Sequence, residues 1–177
     1  LALVTKYGLL ALGLMTFSSS ALASWWPYVG AGASYMHHRQ RGIDIEENKV
    51  RPTLQFGVMR EINQDWSMGT GVDVLVKDIA SWGDSGNLLM WRVANFEYQF
   101  SPNWAINGYG GAARYYRETS AWGYGVGGGL QYYLNDNLSI AADINWTDTD
   151  TSDNWNPELT HNKDLFVWGT VALRYRF

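Results

Sequence analysis

The sequence predicts an all-β chain that closes as an eight-stranded antiparallel up-and-down transmembrane β-barrel. Three observations carry this expectation. From Trp26 onward, apolar or aromatic residues alternate with Gly or polar ones, the period of a strand with one apolar face. Three similar short turns recur between longer polar connections, and the chain is rich in aromatic residues, with 10 Trp and 11 Tyr. Charged residues make up only 17%, below the roughly 25% of soluble domains. No stretch beyond the N-terminus reaches the ~18 consecutive apolar residues of a membrane-crossing helix, so strands must do the crossing. The absence of Cys excludes a disulfide scaffold and thiolate metal sites. A net charge of -4 argues against a general nucleic-acid binder.

The N-terminus reads as a targeting segment. Lys6 precedes a short apolar run over 8–17, then Ser18 to Ser20 and the small-x-small site Ala21-Leu22-Ala23. This order is that of a secretory signal peptide, cleaved after Ala23. Residues 1–23 are therefore expected to be removed, leaving 24–177 as the barrel.

The strands follow from the alternation and the turns. The end of the chain is clearest: Leu165, Val167, Gly169, Val171, Leu173, Tyr175 and Phe177 form one face, and Phe166, Trp168, Thr170, Ala172, Arg174 and Arg176 the other. The segments 62–68, 100–106 and 134–140 each place an Asn/Asp/Pro-rich centre between large apolar residues, which is turn chemistry at a membrane interface. Longer polar connections fall at 37–49, 78–87, 117–121 and 147–164. Three short turns alternating with four long loops require eight strands, assigned to 27–36, 50–61, 66–77, 88–100, 104–116, 122–134, 138–146 and 165–177. Strands of about 10 residues, tilted, suit a bilayer crossing. In the fourth, Phe96, Tyr98 and Phe100 lie on one parity and Leu89, Trp91 and Val93 on the other, which points to a β-bulge near Ala94.

A soluble sandwich or a lipocalin-like barrel shares this periodicity, so the second face decides. It is rich in Gly and carries Arg174, Arg176, Asp73, Asp143 and Glu97. Such a face is too small and bare for a good water-facing surface but suits a narrow barrel interior. Aromatic residues beside the turns and loops match the interfacial girdles of a membrane barrel.

The segment 127–177 contains Gly-Gly-Gly-Leu-Gln-Tyr-Tyr-Leu-Asn-Asp-Asn-Leu-Ser-Ile, then Asp143-Ile144-Asn145-Trp146 and the terminal Ala-Leu-Arg-Tyr-Arg-Phe. It resembles the transmembrane domain of OmpA and related small outer-membrane barrels, and Trp26-Pro27-Tyr28-Val29-Gly30-Ala31-Gly32 looks like the first strand of that domain. The resemblance implies an outer-membrane location and an architecture, not a chemistry. It also implies that Leu173, Tyr175 and Phe177 form the signal read by the outer-membrane assembly machinery. The chain stops at Phe177, so the peptidoglycan-binding domain of full-length OmpA, with its cell-wall tether, is not expected. Gln131 and Ala141 stand where the family has an acidic residue and an Arg, so the charged gate proposed for that family does not carry over.

The lumen should be filled by side chains, because eight strands enclose little more. The column Gly123, Gly125, Gly127, Gly129 leaves room for rings from facing strands. Asp73, Glu97, Asp143 and Arg174 are expected to join in an internal ion-pair network, since a charge in a narrow lumen needs a partner. Of the 12 Lys and Arg that follow Lys6, nine fall in the long loops or the strand halves beside them. Among these, Arg39, Arg41, Arg92, Arg114 and Arg117 are candidate contacts for lipopolysaccharide phosphates. The other reading of these charges is a solvated set balanced by loop Asp and Glu.

No nucleophile, base and orienting group can be read around His37, His38 and His161. His161 with Thr160 and Glu158 is the sole candidate catalytic cluster. The acidic tract 148–153 lacks the Gly and final Glu of a calcium loop. No cofactor or metal is expected. These residues favour a monomeric barrel with a structural or surface-interaction role through its extracellular loops. Its partners would be outer-membrane lipid, lipopolysaccharide and a surface partner of unknown identity. A lipid A-modifying enzyme and a small-conductance channel are the alternatives.

Overall fold

A computed structural model describes residues 25–41, 45–76, 87–116, 120–151 and 162–177. The expected signal peptide lies outside these residues, as do Arg117 and the cluster around His161. Eight strands follow in chain order: β1 (Trp25–Arg41), β2 (Ile45–Glu61), β3 (Trp66–Leu75), β4 (Asn87–Ser101), β5 (Trp104–Tyr116), β6 (Ser120–Tyr133), β7 (Leu138–Thr151) and β8 (Asn162–Arg176). Each pairs antiparallel with its neighbours, and β1 pairs with β8, so the sheet is a closed barrel. The seam runs from Tyr28 opposite Arg176 to Arg41 opposite Lys163, and the Phe177 amide donates to the Pro27 carbonyl. Closure satisfies the backbone groups of the wall from within, which a bilayer demands of any strand-built span.

The short turns are where the sequence puts them. Asn63 and Asn135 each accept hydrogen bonds at Oδ1 from backbone amides two and three residues ahead. This side-chain mimicry of a backbone turn is the reason for Asn there.

The loop side differs from the expectation. β1, β2, β7 and β8 run further than the alternation indicates, taking in His37 to Arg41, Ile45 to Lys49 and Thr147 to Thr151. Beyond the lipid neither face of a ladder has to be apolar, so the hydrophobic period fades while the pairing continues. The rim is also uneven. β2 pairs with β1 from Arg60 up to Ile45, but with β3 only between Thr53 and Glu61. The described wall therefore steps down between β2 and β3.

The β-bulge near Ala94 is present. Register shifts fall between Trp91 and Ala94 against β5, and between Gly69 and Gly71 against β3. Leu88, Met90 and Arg92 are buried before it and Asn95 and Glu97 after it, with Val93 and Ala94 both exposed. On the outer surface the Thr70 hydroxyl donates to the Arg92 carbonyl at 2.8 Å, and the Trp91 indole donates to the Thr70 oxygen at 3.1 Å. Thr70 thus partners the Arg92 carbonyl at the bulge.

The apolar faces point outward. Val126, Ile144 and Val171 are among the exposed side chains, whereas Asp73, Asp143 and Gln55 are almost wholly buried. This inverted arrangement is that of a lipid-facing wall around a packed polar interior. Substituting Val171 with Arg should cost about 2 to 4 kcal/mol of unfolding free energy in a bilayer. Chemical denaturation of the barrel refolded in lipid vesicles measures this, and an unchanged midpoint would place Val171 outside hydrocarbon.

Candidate functional site

The lumen is built in layers, each set by inward side chains at matching heights on several strands. The middle layer is ionic. Arg92 on β4 donates to Asp73 Oδ2 on β3 through Nε at 2.8 Å and Nη2 at 2.5 Å, and to Asp143 Oδ2 on β7 at 3.0 Å. Arg174 on β8 donates to the same Asp143 oxygen at 2.5 Å, to Gln55 at 2.8 Å and to Gln131 at 2.8 Å. The amide of Asn107 donates to Asp143 Oδ1 at 3.1 Å. Two carboxylates and two guanidinium groups therefore neutralise one another across the barrel. Arg92 also lies 3.7 Å from the centre of the Tyr109 ring, a cation–π contact that covers the planar face of its charge.

Of the four residues expected to pair in the lumen, Asp73, Asp143 and Arg174 are brought together and Glu97 is not. Glu97 accepts from the Tyr133 hydroxyl at 2.5 Å, nearer the short turns. Arg92 departs from its expected place at the lipid. It is fully buried in the lumen and cannot reach a lipid phosphate. The bulge is the reason: an unbroken alternation that turns Glu97 inward must turn Arg92 outward, and the extra residue reverses that.

Toward the loops, the lumen is closed by an apolar cluster that includes Met36, Leu75, Leu88, Met90, Tyr115, Phe166 and Trp168. The Gly column admits it. A Cβ on Gly127 would come within 2.5 Å of the Tyr109 ring, and one on Gly125 within 2.7 Å of Met90 Sδ, so neither position accepts a larger residue without displacing the packing. Above this cluster His38 Nε2 meets Asp164 Oδ1 at 2.8 Å, and the imidazole stacks on Phe166 at 4.4 Å. By sequence alone His38 falls in a loop. The continued ladder of β1 instead turns it inward and buries it.

The outer rim holds Arg39, Arg41 and Arg114. Arg114 projects from β5 on the outward parity, with its guanidinium carbon 4.4 Å from the Tyr116 ring centre and 4.8 Å from that of Trp122. Arg39 is exposed near the top of β1, and Arg41 stands opposite Lys163 in the ladder. Arg51 is buried like Arg92. Asp148 to Thr151 belong to β7 rather than to a chelating loop. Among the described residues, no group of three His, Asp or Glu side chains is placed to hold a metal ion. Leu173, Tyr175 and Phe177 all lie exposed on the lipid-facing side of the seam.

Residues 9–177 match the family described as outer membrane protein beta-barrel domain. No curated protein sequence matches the chain. Among solved structures, the fold is similar to that of Ail, the attachment invasion locus protein of Yersinia pestis, at 16% identity with a TM-score of 0.58, covering 87% of this chain and 99% of Ail. A second structure of Ail, in complex with the heparin analogue sucrose octasulfate, aligns at 15% identity and a TM-score of 0.53 over the same shares. Neisserial surface protein A aligns at 15% identity and a TM-score of 0.58, covering 85% of this chain and 97% of its own. At such identities the likeness is one of fold, and sites must be argued from residues.

The ionic layer makes a prediction about stability. Replacing Arg92 by Met leaves Asp73 buried without its ion pair and should cost about 3 to 5 kcal/mol, with much of the loss recovered when Asp73→Asn is added. Urea titration of the single and double variants in lipid vesicles reads both. Additive losses would mean that the two side chains do not act as a unit.

Proposed function

The chain belongs to the outer membrane protein beta-barrel domain family, which places it in the outer membrane, and from that premise we propose that it is a closed barrel acting through its extracellular rim and loops. The observation that carries the reading is the sealed lumen. The ionic layer and the apolar cluster stacked on it fill the interior of the eight strands, so little room remains for conduction. The strands extend the wall beyond the lipid instead, raising β1, β2, β7 and β8 as a platform for the loops. Loops on such a rigid frame vary without disturbing the ladder.

In this reading Arg114, held between Tyr116 and Trp122, contacts the phosphates of lipopolysaccharide, with Arg39, Arg41 and Arg117 as further cations for the same lipid. Aromatic rings at the interface and a cation beside them are a suitable pair for a lipid headgroup. The sulfated ligand bound by Ail offers a parallel in anion chemistry on the same fold. Leu173, Tyr175 and Phe177 serve as the assembly signal, and residues 1–23 as the cleaved export signal. A lipid A-modifying activity has less support: His38 and Asp164, the one buried His–Asp pair among the described residues, face Phe166 and Tyr115 inside the barrel and not the lipid.

Purified barrel in planar bilayers should give no steady conductance, and a stable large one would refute the sealed lumen. Arg114→Ala should lower the affinity of the nanodisc-embedded barrel for added lipopolysaccharide by about 3- to 10-fold, in line with the loss of a charge-assisted contact. An unchanged affinity would remove Arg114 from the lipid contact.

A further inference from the structure

We propose that the lipid-facing side of β5 is a groove that seats one acyl chain of lipopolysaccharide, an inference that rests on the reading above in which the loop end lies in the outer leaflet. Below Arg114 the outward column of this strand continues as Ala112, Gly110 and Gly108, and the exposed Ile106 closes it. Phe96 on β4 stands opposite Gly108, and Val126 on β6 opposite Gly110. Both are exposed, so they rise as walls beside a floor almost without side chains. At the level of Ala112 the neighbouring rings turn away from β5. Trp91 donates to the Thr70 hydroxyl on β3 at 3.1 Å, and the Tyr124 ring lies 5.5 Å from that of Trp146 on β7.

Packing within the barrel does not account for this floor. In the lumen glycine is compulsory, since a Cβ on Gly123, Gly125, Gly127 or Gly129 would come within 2.5 Å of a neighbouring atom. A Cβ on Gly108 would meet nothing within 4 Å, and one on Gly110 only ordinary contacts at 3.7 and 3.8 Å. Neither residue has a left-handed backbone that would demand glycine. Glycine inside a strand costs stability and marks the close approach of another body. Here the open space lies on the hydrocarbon side, so the body comes from the lipid.

Length and charge select the occupant. Six residues separate Arg114 from Gly108, about 20 Å at the rise of a strand. With the tilt of barrel strands this descends about 15 Å, half of the roughly 30 Å hydrocarbon core. The groove is thus one leaflet deep and has a cation at its interfacial end. A chain with an anionic head fits both features, its phosphate meeting Arg114 beside Tyr116 and Trp122. A second copy of the barrel fits less well, because pairing the groove with itself about a two-fold axis would bring two Arg114 together and set hollow against hollow. A chain gains no hydrophobic energy on leaving bulk lipid for the groove, so the preference comes from close van der Waals contact and is modest.

The test fills the groove in the complete barrel embedded in phospholipid nanodiscs. Gly108→Leu and Gly110→Leu together, checked for insertion by heat-modifiable migration, should weaken binding of added lipopolysaccharide about fivefold, whereas Ala33→Leu on the outward face of β1 should leave it unchanged. An unchanged affinity in the filled variant, beside a loss in Arg114→Ala, would overturn the groove and keep the phosphate contact. No loss in either would overturn both. Equal weakening towards phosphatidylglycerol would overturn the assignment to lipopolysaccharide, and an unaltered barrel that is dimeric until the groove is filled would make a second copy the occupant. If the filled variant fails to insert, NMR of the unaltered barrel in deuterated phospholipid decides. The Val126 methyl groups should then show stronger Overhauser contacts to lipopolysaccharide acyl protons than those of Val171, and equal ones would overturn the proposal.

Discussion

A strand in hydrocarbon has no water to satisfy its amides and carbonyls, and the rest of this structure depends on that constraint. Closing eight strands on themselves answers it, and closure then fixes the interior. Side chains facing inward compete for a narrow column of space, which is why β6 presents Gly to the lumen opposite Tyr109 and Met90. Charges facing inward cannot be hydrated freely, which is why Arg92 and Arg174 share Asp143 rather than standing alone. Such a layer is no simple gain in stability, since desolvating four charges offsets much of their attraction. What it provides is registry: the four side chains come from β3, β4, β7 and β8, and only one relative placement of those strands lets them meet.

Much of this is legible in the residues because the two environments of the wall are so unlike. Lipid outside and a tight lumen inside write a period of two into every crossing, and the Asn-centred turns mark its limits. That signal weakens wherever one of those environments is lost. Above the lipid the alternation fades, so the upper parts of β1, β2, β7 and β8 look like loops although their ladders continue. His38 looks like a loop residue for that reason. Its inward direction depends on pairing with Phe166 and Glu47, which no local pattern records.

Arg92 fails differently. The parity change around Ala94 is visible in the sequence, and with it the bulge, but its consequence for a residue two positions earlier depends on which half of β4 is taken as the reference. A cation beside Trp91 reads naturally as an interfacial anchor. Only the closed barrel shows Asp73 across the ladder, where an outward Arg92 would leave it with one fewer partner. The candidate rim cations and the sealed lumen are thus two outcomes of one assignment of faces. Arg114, on a strand whose pairing with β6 runs without a shift from Trp104 to Tyr116, keeps the outward place that simple alternation gives it.

The bulge also separates two demands that a regular strand would bind together. Along an uninterrupted β4, the inward choice at its upper half would dictate the inward choice at its lower half. The slip at Val93 and Ala94 resets the phase, so Leu88, Met90 and Arg92 answer to the apolar cluster and the ionic layer while Asn95 and Glu97 answer to Met59 and Tyr133 at the turn end of the lumen. The two halves of this strand are, in effect, free to diversify on different schedules. A substitution that retunes one compartment of the lumen need not be matched in the other, and the joint between them is held on the lipid side by Thr70 and Trp91.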